Sequence, residues 1–386
     1  MTDSWDLVVV GAGPAGSAAA LGALTAQPGS RVLLLDRSEF PRDKACGDGI
    51  APHVLDVLES VGVAGLLDDW TPVRRLRLQQ GTSEVARTMA RPAWVVPRAV
   101  FDARLVAAAV SAGAELRQHR VRALTRDGAD VLLDGEIRAR AVVGADGAHS
   151  LVRSLGGVDE PRRQAFALRG YAPTPPGRAG QQVIVFGDTR QPSYAWSFDR
   201  GDGLANVGYG ELLRRGGQAP TRQLLLDRLG ELLPGSTDDG TAWRGHHLPL
   251  SAWTLRQPDG PVLLAGDAAG LVNPMTGEGI YYAVATGVLA GRAVAAALDA
   301  GAGAAASAGA GAAYRRAVRT LLGRHVKHTA VTSRLVSRRA VTAGIRAAAR
   351  RQEVFDDLVE VGLGRGLVTP RVVTALVGSL RPPLRG

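Results

Sequence analysis

One cysteine, three methionines and two lysines are a sparse supply of reactive side chains for 386 residues. Cys46 stands alone, so an intrachain disulfide and a cysteine-based metal site are both excluded. The histidines offer no better case. His246 and His247 are adjacent, and His325 and His328 sit three apart on a helical pattern without a carboxylate companion. No metal is expected. Aromatic residues reach only 5%, so any stretch that gathers several of them stands out. The start of the chain lacks the basic-then-apolar pattern of a signal peptide. The longest apolar stretch, Ile280 to Gly291, falls short of the roughly 20 residues that a bilayer span takes. The expectation is a cytoplasmic protein. There is no internal repeat.

The shortage of lysine, present only at Lys44 and Lys327, is matched by an abundance of arginine that brings the net charge to +10. With the many Ala and Gly residues, this reads as the codon bias of a GC-rich bacterial genome. The arginines crowd the C-terminal third, at Arg315, Arg316, Arg319, Arg324, Arg334, Arg338, Arg339, Arg346, Arg350 and Arg351. Such a field attracts nucleic acid, anionic lipid or a diphosphate. No nucleic-acid motif accompanies it, so nucleic acid is not expected as a partner. Two readings then stand: a solvated helix face, or peripheral contact with the inner face of the membrane. The apolar share of 46% and charged share of 21% are an ordinary globular balance. The length suits one large or two moderate domains.

The first forty residues carry the strongest pattern. Leu7-Val8-Val9-Val10 reads as a strand buried on both faces. It runs into Gly11-Ala12-Gly13-Pro14-Ala15-Gly16 and a helix, and a second strand, Val32 to Leu35, ends in Asp36. This is a βαβ unit with a dinucleotide fingerprint. Gly11 permits the tight turn, Gly13 lets the backbone approach a pyrophosphate, and Gly16 lets helix and strand pack closely. Pro14 sits in the first turn, where its missing N–H costs little. The helix start offers N–H groups and a positive dipole end to phosphates. Asp36 can accept ribose hydroxyls.

Beyond Asp36, a polar loop from Arg37 to Ile50 holds the lone thiol. Val54 to Val61 reads as a helix, Val73 to Thr88 as strands, and Pro97-Arg98 opens a helix. Several short strands fill Leu116 to Val143. The last ends in Gly144-Ala145-Asp146-Gly147 ahead of another helix. Short strands with turn residues from Phe166 to Leu250 suggest an antiparallel sheet, with a helix over Leu224 to Leu233. It contains Tyr194-Ala195-Trp196-Ser197-Phe198 and then Gly208-Tyr209-Gly210. Val262 to Ala265 is a parallel-type strand leading to Gly266-Asp267, then Asn273 to Ile280, then a long Ala-rich helix. Gly301 to Ala313 reads as a linker or loose helix. Basic helices follow from Tyr314, with Pro370 and Pro382-Pro383 as breaks.

Three glycine–acid loops on one chain resemble the FAD-binding set of flavoprotein hydroxylases and their relatives, over residues 1–290. The resemblance implies that Asp267 binds ribityl or pyrophosphate oxygens and that Arg98 lies near the flavin or the ADP moiety. There is no second fingerprint, so NAD(P)H, or another electron donor, would meet the protein only transiently. The details resemble the geranylgeranyl reductases. The loop Phe40 to Gly49 resembles theirs, which carries a cysteine near the flavin; Asn273 to Ile280 resembles their loop along the isoalloxazine. Tyr194, Trp196 and Phe198, with Gly208 and Gly210, match their prenyl-site motif, except that Asp199 stands where the family has proline. From the residues alone, the aromatic triplet fits core packing as well as a cavity wall, and Cys46 fits a small buried filler as well as a flavin neighbour.

The implied fold is α/β: a Rossmann-like FAD-binding domain (1–72, 96–160 and 258–300), an inserted antiparallel-sheet substrate domain (73–95 and 161–257) and a C-terminal helical region (301–386). The implied catalytic candidates are Cys46, Gly47 and Asp48. The cofactor set is Gly11, Gly13, Pro14, Ala15, Gly16, Asp36, Arg37, Cys46, Gly47, Arg98, Asp146, Gly266, Asp267, Gly277, Gly279 and Ile280. The substrate set is Tyr194, Trp196, Phe198, Gly208 and Gly210. The implied activity is flavin-dependent saturation of C=C bonds in a hydrophobic prenyl or terpenoid substrate. A monooxygenase on the same fold is the alternative. A halogenase is weaker, for want of a Trp-x-Trp-x-Ile stretch, and a non-enzymatic lipid binder would not need the full flavin set.

Overall fold

The computed structural model describes residues 3–188, 191–213, 220–299 and 304–380. In chain order the strands are β1 (Asp3–Val10), β2 (Val32–Asp36), β3 (Gly49–Ile50), β4 (Val73–Gln80), β5 (Ser83–Val95), β6 (Glu115–Gln118), β7 (Leu124–Asp127), β8 (Asp130–Leu133), β9 (Ile137–Gly144), β10 (Gln164–Pro173), β11 (Gln181–Phe186), β12 (Ser193–Asp199), β13 (Leu204–Leu212), β14 (Thr241–Pro249) and β15 (Val262–Leu264). The helices are α1 (Pro14–Ala26), α2 (Pro52–Glu59), α3 (Arg98–Ser111), α4 (Leu151–Leu155), α5 (Arg222–Leu232), α6 (Ile280–Asp299), α7 (Ala304–Leu335), α8 (Arg338–Arg350), α9 (Gln352–Leu363) and α10 (Pro370–Leu380).

Two sheets organise the chain. The first runs β6-β2-β1-β9-β8-β7, with β15 also on β9. Its centre, β6-β2-β1-β9-β15, is parallel, and all five residues of β2 are buried, as a strand covered on both faces requires. The second runs β14-β10-β13-β12-β11-β4-β5-β3. It is antiparallel except where β11 meets β4. Mixed α/β architecture with a Rossmann-like unit, a second sheet and C-terminal helices is therefore the fold.

α1 and α6 lie against each other with almost no side chain between them. A Cβ added at Gly287 would sit 2.2 Å from the Ala15 carbonyl oxygen, and one at Gly291 2.1 Å from that of Ala19. This contact corrects the expectation about apolar length. The apolar helix does not stop at Gly291 but runs 20 residues to Asp299, long and apolar enough to cross a membrane, and most of it is buried inside the fold. Arg292, which interrupts the sequence pattern, turns outward and donates to the Ser60 carbonyl at 2.8 Å.

The stretch expected to be a linker or loose helix is helical from Ala304 onward. Alanine, the best helix former, carries it, and Gly311 lets it approach the Gly260 carbonyl. Residues 301–303 and Pro382-Pro383 lie outside the described residues. Pro370 does not only break a helix; it starts α10. α8 and α9 dock on the second sheet, where Ile345, Ala348 and Phe355 pack with Leu76, Val85 and Met89.

Candidate active site

The end of β1 turns sharply at Gly11, whose φ of +100° favours glycine. Its N–H donates to the Leu35 carbonyl at 2.7 Å, tying the two strand ends together. Close packing demands Gly16 as well, since a Cβ there would lie 1.7 Å from the Gly11 oxygen. Gly13 is different. It caps α1 with no side-chain partner, and a Cβ there would meet only the Arg42 guanidinium, at 3.3 Å. The first turn of α1 thus borders an open space rather than protein. Asp36 holds the turn in shape: Oδ2 accepts the Ala12 N–H and Oδ1 the Ser38 N–H, both at 2.9 Å.

The other two glycine–acid loops reach the same space. Asp146 accepts from the Ser150 hydroxyl and from the Leu151 and Val152 N–H groups, so its carboxylate also starts α4. Burial works to raise the Asp267 carboxyl, but Lys44, 3.4 Å away, and His246 beside it hold it well below the ordinary range. Arg98 is buried, and its fork grips Asp102 at 2.6 and 2.8 Å.

The aromatic triplet alternates along β12 so that its three rings share one face. The strand opposite explains the two glycines. Trp196 pairs with Gly208 and Tyr194 with Gly210 across the ladder. A Cβ at Gly208 would fall 2.3 Å from the Trp196 ring and 2.3 Å from the Leu168 oxygen. The indole therefore packs directly against bare backbone. The Cys46 loop covers the far end of this floor: a Cβ at Gly47 would touch Phe198 at 3.4 Å. Asp199 turns away from the rings. It accepts from the Thr174 hydroxyl at 3.0 Å and the Gly180 N–H at 2.6 Å, tying the strand end to a neighbouring turn.

Behind the loop lies a network that sequence reasoning did not anticipate. Asp48 is fully buried at φ 58°. Its Oδ2 accepts from the Tyr171 hydroxyl at 2.6 Å and from Asn206 Nδ2 at 2.8 Å. Asn206 also donates to the Cys46 carbonyl and accepts from the Trp196 indole, each at 2.8 Å. Asp48 Oδ1 is buried without a partner, and burial raises the carboxyl to about 6. Burial likewise pushes the Cys46 thiol up, with Arg98 beside it pulling the other way.

These parts border one cavity of about 1350 Å³. Of the sequence-predicted residues, Gly11, Gly13, Pro14, Ala15, Asp36, Arg37, Cys46, Gly47, Arg98, Asp146, Asp267, Gly277, Gly279, Ile280, Tyr194, Trp196, Phe198 and Gly210 line it. Gly16, Asp48, Gly208 and Gly266 lie behind the wall and act through packing or hydrogen bonds. Two further sets were missed. Glu278 lines the cavity in the middle of the Asn273-to-Ile280 loop, where the motif itself was the available signal. The apolar end is walled by Val341, Ile345, Val359, Val372 and Leu376 from α8, α9 and α10, which no local pattern connects to a flavin.

The comparisons match this geometry. Residues 4–172 match the FAD binding domain family. A menaquinone reductase of Mycolicibacterium smegmatis is 34% identical over 310 residues, covering 74% of this chain and 75% of that protein. A digeranylgeranylglycerophospholipid reductase of Methanopyrus kandleri is 35% identical over 319 residues, covering 76% and 81%. The chain belongs to the geranylgeranyl reductase family of FAD-dependent oxidoreductases. A solved geranylgeranyl bacteriochlorophyll reductase-like protein from Thermoplasma acidophilum superposes with a TM-score of 0.77 at 20% identity, covering 98% of this chain and 96% of that one. The family cofactor fits the residues present. The uncapped first turn of α1, the open side of Gly13 and two acid-bearing loops on the same wall suit a dinucleotide with a pyrophosphate.

Proposed function

We propose that this protein saturates C=C bonds of a prenyl chain held in the apolar half of the cavity. The observation that carries the reading is the continuity of that cavity. One space joins the phosphate-binding turn at Gly13 to an apolar wall built from the second sheet and α8–α10. Its volume exceeds the roughly 300–1,000 Å³ of an ordinary ligand pocket, as a site for a dinucleotide and a long chain together must. Relatives named for menaquinone and for digeranylgeranylglycerophospholipid share an isoprenoid chain and differ in the head group. Recognition through the chain accounts for both. Because the named relatives are reductases, the monooxygenase alternative is not favoured.

In this reading Gly11, Gly13, Pro14, Ala15 and Gly16 form the pyrophosphate turn. Asp36, Arg37, Arg98, Asp146, Gly266 and Asp267 hold the rest of the cofactor. The Cys46-Gly47 loop and Gly277 to Ile280 flank its ring. Reduced FAD, when bound, supplies the hydride. The chain's own residues orient the alkene on the Tyr194–Trp196–Phe198 floor and keep water out with aliphatic walls. NAD(P)H or another donor would supply the reducing electrons transiently, since the chain carries no second dinucleotide fingerprint. The partition into an FAD-binding domain (1–72, 96–160, 258–300), a substrate domain (73–95, 161–257) and a helical region (301–386) belongs to the same proposal.

The helical region also suggests where the substrate enters. Leu335 borders the cavity and is 74% exposed, so the cavity meets solvent at the α7–α8 junction. Along α7, Val318, Leu322 and Val326 pack inward, but Val331 and Leu335 do not. They stand exposed beside Arg334, Arg338 and Arg339, an apolar rim with a basic border that suits an anionic membrane surface.

The test is anaerobic. The bound flavin is reduced, a prenylquinone or geranylgeranyl diphosphate is added, and flavin reoxidation is followed. Reoxidation without oxygen, with product heavier by two hydrogens per bond, is expected. Reoxidation only with oxygen, giving an oxygenated product, would overturn the reading.

A further inference from the structure

We propose that Glu278 is the acid that delivers the proton to the prenyl double bond, an inference that rests on the reductase reading above. Saturation needs two different hydrogens. The hydride brings both electrons to one carbon and leaves the flavin oxidised by two electrons. The π bond breaks, and its other carbon must take a proton from an acid on the cavity wall. The carboxylate left behind regains a proton from solvent.

Few groups on that wall can serve. Tyr194 donates its hydroxyl hydrogen to the Thr276 carbonyl, and burial pushes it well above its ordinary value. The Cys46 thiol is also pushed up. Asp267 is held as the anion by Lys44 and His246. Arg98 is locked to Asp102. Asp48 lies behind the wall. Of the groups around the thiol loop and the aromatic floor, Glu278 remains, and its geometry is set. It sits just before α6, where Oε1 accepts the Tyr281 N–H at 2.8 Å. That bond fixes the side chain against the cavity and leaves Oε2 for the proton.

Burial raises the Glu278 carboxyl to about 7, against the lowering pull of the Tyr281 and Ile280 N–H groups. The charged and titratable groups facing it are His53 of α2, Arg98 of α3, Cys46 of the thiol loop, Tyr194 of β12 and Tyr282 of α6. An acid near neutrality can both give and regain a proton under working conditions. His53, whose charge acts on Glu278, is itself paired through Nε2 at 3.0 Å with Glu360, whose side chain is 46% exposed.

Glu278→Gln keeps an acceptor for the Tyr281 N–H and removes the proton. Two readouts are taken on FAD-loaded wild type, Glu278→Gln and Glu278→Asp. Infrared titration of the oxidised protein, without turnover, should show a protonated carboxyl that ionises at about 7 in wild type and is missing from Glu278→Gln. An anaerobic single turnover from pre-reduced flavin should slow by roughly a hundredfold or more in Glu278→Gln, with FAD content unchanged and partial recovery in Glu278→Asp. The wild-type rate should fall as pH rises through that value, and the limb should vanish in Glu278→Gln. A wild type that reduces the prenyl substrate beside an equally fast Glu278→Gln overturns this inference alone. So does the lack of the titrating carboxyl in wild type. A wild type that binds prenyl substrates and never reduces them overturns the reductase reading itself.

Discussion

Replacing Asp48 by asparagine removes one buried charge and keeps an acceptor in its place, which isolates what the charge does. The carboxyl stands at about 6 in the fold against an ordinary 3.8, chiefly because burial penalises its ionised form. Between those values the folded chain binds more protons than the unfolded chain, so stability falls as pH rises through the window. Above the window the ionised group carries a penalty of about 3 kcal/mol. The asparagine amide can still accept from Tyr171 and Asn206. Its NH₂ group then takes the position of the unpartnered Oδ1, and burying that donor costs about 1–3 kcal/mol. The second cost is independent of pH and the first is not. Relative to wild type, Asp48→Asn should therefore gain about 1.4 kcal/mol between about pH 5 and about pH 8, whatever its offset. Urea unfolding of FAD-saturated protein at the two pH values measures this. Asp48→Ala is the contrasting case. It orphans both donors and places a Cβ without a local hydrogen bond at φ 58°, so it should destabilise at both pH values. Equal pH slopes for wild type and Asp48→Asn would refute the reasoning, because they would mean that burial does not raise this carboxyl.

Three further outcomes are expected. Gly13→Val should fold but purify without flavin absorbance, since the added atoms meet little protein and fill the pyrophosphate's place; a normally yellow variant would refute that placement. Gly208→Ala should cost about 1–3 kcal/mol by overpacking and alter tryptophan emission and prenyl affinity at unchanged FAD content. Unchanged emission would mean that the indole does not rest on this backbone. Co-sedimentation should favour anionic over neutral liposomes at low salt, each arginine near the surface adding on the order of 1 kcal/mol. Equal binding to both, or binding to neither, would remove the membrane contact.

What the sequence made legible was local. The fingerprint from Gly11 to Gly16, the acid at Asp36 and the strand-to-loop steps at Gly144 and Gly266 are short patterns whose geometry follows from backbone sterics, and they led directly to the family and its cofactor. The aromatic triplet and the two glycines were legible as a motif, but their partnership was not. Residues 194–198 and 208–210 meet only because β12 and β13 pair in the register that sets Trp196 over Gly208. The end of α6 was misjudged because Arg292 reads as a charge in an apolar run, while in the fold it reaches Ser60 at the surface. The α8–α10 wall was illegible for a different reason. Its apolar residues face a cavity whose other side comes from strands more than a hundred residues earlier.

Charge pairing explains the division of labour among the buried acids. Asp36 is met by two N–H groups and Arg42, Asp102 by Arg98 and Arg42, Asp267 by Lys44, and Asp43 by Arg169 and Arg244. Each such carboxylate has a cationic partner, and that of Asp267 holds it as the anion. Asp48 and Glu278 are held by neutral donors, and burial raises their carboxyls to about 6 and about 7. The fold separates them by direction. Asp48 faces away from the cavity and ties Tyr171 and Asn206 beneath the Cys46 loop, so its protonation bears on how firmly that loop is held. Glu278 borders the cavity between the thiol loop and Tyr194, so its protonation bears on what the cavity can do to a bound alkene. A pH profile that follows Glu278 in turnover and Asp48 in stability is the expected consequence of that separation.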